Sequence, residues 1–111
     1  MDPNYWHTHG SSPWQPAADI YRGSQSWVIK FDLAGIAVED ISIQLHEGVL
    51  TVAGMRHDEL VREAHQTYSM EIAYNRFVRS ITLPAIPPGT KIDTEYLNGM
   101  LIVRLWLPKE V

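Results

Sequence analysis

Five histidines, thirteen carboxylates and no cysteine are what this 111-residue chain has for acid–base and metal chemistry. His7-Thr8-His9 is the only close histidine pair, and His46, His57 and His65 stand in turns among charged or polar neighbours. A closed metal site needs several ligands converging in fixed geometry. This spacing gives solvated surface histidines instead, so no metal is assigned. Ser11, Ser12 and Ser80 become nucleophiles only where a histidine and a carboxylate meet them, and no Gly-x-Ser-x-Gly elbow is present. Asp58-Glu59 lies in a charged stretch and reads as a solvated face. The seven glycines are scattered singly, where turn geometry explains them, so there is no phosphate-cradling loop. The sequence therefore predicts neither an enzyme nor a cofactor.

The elements around these residues are short period-two runs. Residues 1–15 follow neither helical nor strand period and read as a mobile arm bearing Tyr5, Trp6 and Trp14. After Pro16, a weak strand begins at Ala17-Ala18-Asp19-Ile20-Tyr21. In Trp27 to Leu33, positions 27, 29, 31 and 33 share an apolar face while Lys30 and Asp32 take the other. Ile41 to His46 and Val49 to Ala53 form a hairpin turning at Glu47-Gly48. Residues 55–67 are charged, and composition admits either a short helix or a loop carrying one extra strand. Phe77 to Leu83 alternates until Pro84. Ile92 to Tyr96 and Leu101 to Leu107 make a last hairpin through Asn98-Gly99. Such a pattern predicts an all-β, immunoglobulin-like antiparallel sandwich of two sheets.

Two residues break this pattern. Arg79 shares the register of Phe77, Ile81 and Leu83, so its guanidinium points to the apolar side and needs an acidic partner. That partner is either within one subunit or across a dimer interface. Trp106 falls on the face opposite Leu101, Val103, Leu105 and Leu107, which leaves an indole for an interface to cover.

Composition restricts the partners. One domain fits in 111 residues, and a formal charge of −4 disfavours nucleic acid and anionic lipid. No apolar run approaches the ~20 residues of a spanning helix, and the opening Met1-Asp2-Pro3-Asn4 is not a signal peptide. With no cysteine to staple the fold, a soluble protein of a reducing compartment, the cytoplasm, is expected.

The ordered motifs resemble the small heat shock proteins, the Hsp20 or α-crystallin family, over about residues 14–109. The carriers are Trp14-Gln15-Pro16-Ala17-Ala18-Asp19-Ile20-Tyr21, Trp27-Val28-Ile29-Lys30-Phe31-Asp32-Leu33-Ala34-Gly35 and Glu39-Asp40-Ile41. To these add Gly48-Val49-Leu50-Thr51-Val52-Ala53-Gly54-Met55-Arg56, similar to the family's leucine strand ending in Gly-Glu-Arg, and Phe77 through Pro84. Asn98-Gly99-Met100-Leu101, preceded by Thr94 where the family prefers alanine, and Leu107-Pro108-Lys109 complete the set.

The resemblance implies a domain over 16–109 that dimerises and holds partly unfolded proteins without ATP. It implies that the 57–67 loop carries a strand swapped onto the partner's residues 16–22, giving a dimer interface of Asp19, Ile20, Tyr21, Leu60 and Arg79. A groove between the strands holding Ile41–Leu45 and Ile92–Tyr96 would take clients or peptides at outward-facing Ile43, Leu45, Ile92 and Tyr96, with arm contacts from Trp6 and Trp14. Residues 110–111 are a tail without the family's Ile-x-Ile/Val motif, the arm is short, and the last strand is longer by Leu105-Trp106. Dimers or small oligomers are therefore expected rather than a cage. The leading expectation is an ATP-independent holdase. The alternative is a regulatory module that caps or co-assembles with longer small heat shock proteins through a free groove. The expected partners are a second copy, unfolded clients and other family members.

Overall fold

Alternation does most of the construction. In a computed structural model, which describes residues 12–62 and 65–109, seven strands form two antiparallel sheets. They are β1 (Ala18–Arg22), β2 (Ser26–Asp32), β3 (Ile41–His46), β4 (Val49–Arg56), β5 (Asn75–Thr82), β6 (Lys91–Leu97) and β7 (Met100–Trp106). One sheet has the order β1-β2-β7-β6 and the other β3-β4-β5. A 3-10 turn (Val38–Asp40) and one short helix, α1 (Glu59–Arg62), are the helical pieces among the described residues.

The expected sandwich is found, and its core comes from the inward positions of the period-two runs. Ile29 and Phe31 of β2 meet Val103 and Leu101 of β7 across the ladder, and all four are buried. Leu50 and Val52 of β4 with Phe77 and Ile81 of β5 supply the opposing face. Both hairpin turns place their central residues at positive φ: 50° and 79° for Glu47-Gly48, 53° and 80° for Asn98-Gly99. This handedness matches the twist of the strands they join. Gly54 answers a different demand, since a Cβ there would overlap the Asp40 carbonyl oxygen and the Phe77 ring.

Within the 57–67 segment, Glu59–Arg62 form the short helix α1, one of the two forms that composition admits, with Asp58 Oδ1 accepting from the Leu60 amide at 3.0 Å to cap the first turn. One expectation changes. Trp14, read as part of a free arm, forms a parallel β-bridge with Phe77. Its amide donates to the Arg76 carbonyl and its carbonyl accepts from the Val78 amide, both at 3.1 Å.

Candidate functional site

Four strand edges bound the sandwich: β1 and β6 in one sheet, β3 and β5 in the other. Residues 14–17 decide how they pair off. Trp14 binds β5, and three residues later the Ala17 carbonyl accepts from the Asp32 amide of β2, leading directly into β1. The β5 and β1 edges are thereby strapped together on one side. By elimination β3 and β6 face each other on the other side, with no covering strand among the described residues.

The open side is built from inner-face residues. Ile43 and Leu45 pair in register with Val52 and Leu50, so they point toward the core and are half-buried against it. Ile92 and Tyr96 pair with Leu105 and Leu101 and share the inner face of β6. The expected outward facing of these four is corrected, because their ladder partners are core residues and directly opposed side chains share a face. They reach solvent only because their strands are edges. Ile92 keeps 45% of its surface exposed, while the Tyr96 hydroxyl donates to the Leu33 carbonyl at 2.6 Å and fixes its ring. Together they make an apolar rim along two strand edges that no further strand covers among the described residues.

At the strapped side, β1 presents Asp19, Ile20 and Tyr21 as a run, with Ile20 and Tyr21 both half-exposed. Lys30 Nζ lies 3.9 Å from Asp19 and 5.7 Å from the Tyr21 ring. Arg79 sits beside the start of this strand, where its Nη1 donates to the Pro16 carbonyl at 3.0 Å. Among the described residues of the one subunit it makes no ion pair, so of the two expected arrangements the acidic partner within a subunit is replaced by a carbonyl. It is only partly buried, which lowers the desolvation that demanded a carboxylate. Leu60 is apart from this group, on α1, and is 61% exposed. Trp106 is half-exposed on the outer face of β7, as its register required. Trp6 lies outside the described residues.

The sequence reading missed an aromatic seat under the strap. The Trp14 ring packs 5.2 Å from the Phe77 ring, and its indole N–H donates to the Asn75 carbonyl at 3.2 Å. The Arg56 guanidinium stacks over it at 4.4 Å. Arg56 is itself held by the Ala34 carbonyl, which accepts from Nε and Nη2 at 3.1 and 2.8 Å, and by the Ala73 carbonyl, which accepts from Nη1 at 2.9 Å. The signal was present: an arginine closing a strand, and a tryptophan two residues before a proline. Among the described residues no three His, Asp or Glu side chains converge as metal ligands would.

Comparison with known proteins agrees with this geometry. The model of the Hsp20/alpha crystallin family matches residues 19–111. The chain is 29% identical over 107 residues to Spore protein SP21 of Stigmatella aurantiaca, covering 96% of this chain and 62% of that protein. It is 30% identical over 93 residues to Heat shock protein 16 of Schizosaccharomyces pombe, covering 81% of this chain and 64% of that protein. It thus spans less than two thirds of the length of these relatives. Among solved structures, Heat shock protein 16.0 from Schizosaccharomyces pombe superimposes with a TM-score of 0.77 at 26% identity, over 92% of this chain and 73% of that one. HspA from Xanthomonas axonopodis does so with a TM-score of 0.71 at 28% identity, over 86% and 96%.

Proposed function

This chain belongs to the Hsp20/alpha crystallin family, whose members are in general chaperones, and from that premise we propose that it is an ATP-independent holdase. The observation that carries the reading is the open side of the sandwich, where Ile43, Leu45, Ile92 and Tyr96 line two facing strand edges. An unfolded segment offers apolar side chains and unpaired backbone groups, and this rim accepts both at once. Binding there needs no covalent step and no nucleotide. The formal charge of −4 helps keep a loaded complex dispersed.

The protein works as a dimer or small oligomer in the cytoplasm, a setting in keeping with a sequence that lacks cysteine. Its self-contacts are Asp19, Ile20 and Tyr21 on the β1 edge, Arg79 beside it, and Leu60 of the 57–67 segment from the partner. An exposed edge strand is a liability that pairing removes. The half-exposed Ile20 and Tyr21 and the exposed Leu60 support this assignment.

The test is light scattering from a heat-labile client with rising amounts of this protein and no nucleotide, after its mass is measured by multi-angle scattering. Suppression near stoichiometric ratios is the expected result. Unchanged aggregation would sink the holdase reading and favour a module that co-assembles with longer relatives. In that case mixing with such a relative should alter its oligomer size.

A further inference from the structure

The edge of β5 carries more hydrogen-bonding capacity than Trp14 uses. Since the Leu83 amide donates to the Gly48 carbonyl and the Val78 amide to the Trp14 carbonyl, the backbone groups of residues 77, 79 and 81 face β4, while those of 76, 78 and 80 face outward. A parallel partner that donates from its residue i to the Arg76 carbonyl and accepts at i from the Val78 amide should next donate from i+2 to the Val78 carbonyl. In this chain i is Trp14 and i+2 is Pro16, which has no N–H. The ladder therefore stops after one bridge, and the Pro16 carbonyl is turned to the Arg79 guanidinium instead. Neither the Val78 carbonyl nor the Ser80 amide has a backbone partner among the described residues.

We infer that the β5 edge and its aromatic seat form a second strand-addition site, occupied in cis by Trp14 and adapted to an extended client segment bearing an aromatic residue with no proline two positions later. The inference rests on the holdase reading and places a capture site on the side opposite the open rim. The parts of the seat are each held by contacts other than Trp14: Phe77 belongs to the core, the Asn75 carbonyl belongs to β5, and Arg56 is tied to the Ala34 and Ala73 carbonyls. The occupant is a client rather than a second copy of this segment. A second copy brings the same proline and gains no bond over the cis segment, which also has the advantage of its tether. A client residue with an N–H at that position gains one.

The experiment uses the full chain and a fluorescein-labelled peptide, Gly-Ser-Ser-Trp-Gln-Val-Thr-Ser-Gly, with a twin carrying proline in place of valine. Anisotropy should show the valine peptide binding Trp14→Ala at least about tenfold tighter than the unsubstituted chain, because the cis segment loses the indole that fills the seat. The proline twin should bind about fivefold more weakly than the valine peptide, the worth of one hydrogen bond. In the unsubstituted chain, saturating valine peptide should slow hydrogen exchange at the Ser80 amide, a reading that stands even if Trp14→Ala unfolds. Equal affinity of both chains, equal affinity of both peptides, or an unmoved Ser80 amide overturns the site. So does a change of assembly mass in Trp14→Ala, which would assign the segment to a neighbouring copy. Client scattering run in parallel separates the two ideas. Suppression with an indifferent Ser80 discards this site and keeps the holdase, while capture at β5 without suppression does the reverse.

Discussion

The two sides of the sandwich solve the same problem in opposite ways. On one side residues 14–17 bridge β5 to β2 with backbone hydrogen bonds, an indole and two arginines. On the other, β3 and β6 end in half-buried apolar residues with nothing drawn across them among the described residues. The difference teaches that burial and edge protection are separable. Ile43, Leu45 and Trp14 all pack partly buried against the core, yet the strand of the first two stays open while Trp14 closes an edge. A protein that must bind extended chains benefits from an edge that is stable without being covered. Substitutions on the two sides should therefore separate stability from capture.

The largest effect is expected at Phe77, which anchors the strapped side. Phe77→Ala removes a ring that is 2% exposed and covers Gly54, and it should lower the unfolding free energy by about 3–5 kcal/mol in a urea titration. A loss under about 1 kcal/mol would mean that the strap, not the core, holds this side. Trp14→Ala comes next. It deletes a cation–π stack, an aromatic contact and an indole hydrogen bond, all partly exposed, for a combined loss of about 2 kcal/mol. The backbone bridge survives this substitution, so a far larger loss would show that the indole also organises Arg56.

Arg79→Ala sharpens the comparison further, because it tests whether the strapped side is also an interface. Its hydrogen bond to the Pro16 carbonyl is worth about 1–2 kcal/mol of protomer stability. If Arg79 also contacts the partner, the dimer dissociation constant measured by sedimentation should rise about tenfold or more. A protomer loss with an unchanged dissociation constant would confine the residue to the strap.

These contrasts track what local pattern can and cannot say. The faces of β2 and β7, the turns at Glu47-Gly48 and Asn98-Gly99, and the exposure of Trp106 follow from a period of two, which is a property of adjacent residues. The strap does not, since Trp14 meets Asn75 across 61 positions through a single bridge that has no period to detect. Arg79 was legible in direction but not in partner. Register fixes which face a guanidinium takes, yet whether a carboxylate or a carbonyl waits there depends on a segment far away in sequence. The rim at Ile43, Leu45, Ile92 and Tyr96 was found with the wrong facing. Edge strands expose residues of their inner face, and strand order, which makes an edge, is not written in any one strand. The 57–67 segment stayed undecided because its charges suit a helix or an edge strand alike.

The smallest effect on stability and the most informative one on function is expected at the open rim. Ile92 sits on an edge strand, is 45% exposed and has Leu105 as its ladder partner, so its side chain removes little area from water that the core does not already cover. Ile92→Ser should change the unfolding free energy by no more than about 1 kcal/mol. If the rim captures clients, the same substitution should raise the amount of protein needed for half-suppression of client aggregation several-fold, at unchanged assembly mass. Lys91→Ser, on the outer face beside Trp106, controls for a change of strand polarity and should leave suppression intact. A chaperone assay indifferent to Ile92→Ser but lost in Trp14→Ala would reverse the comparison. Capture would then belong to the strapped side, and the open rim would be no more than the place where two sheets fail to close.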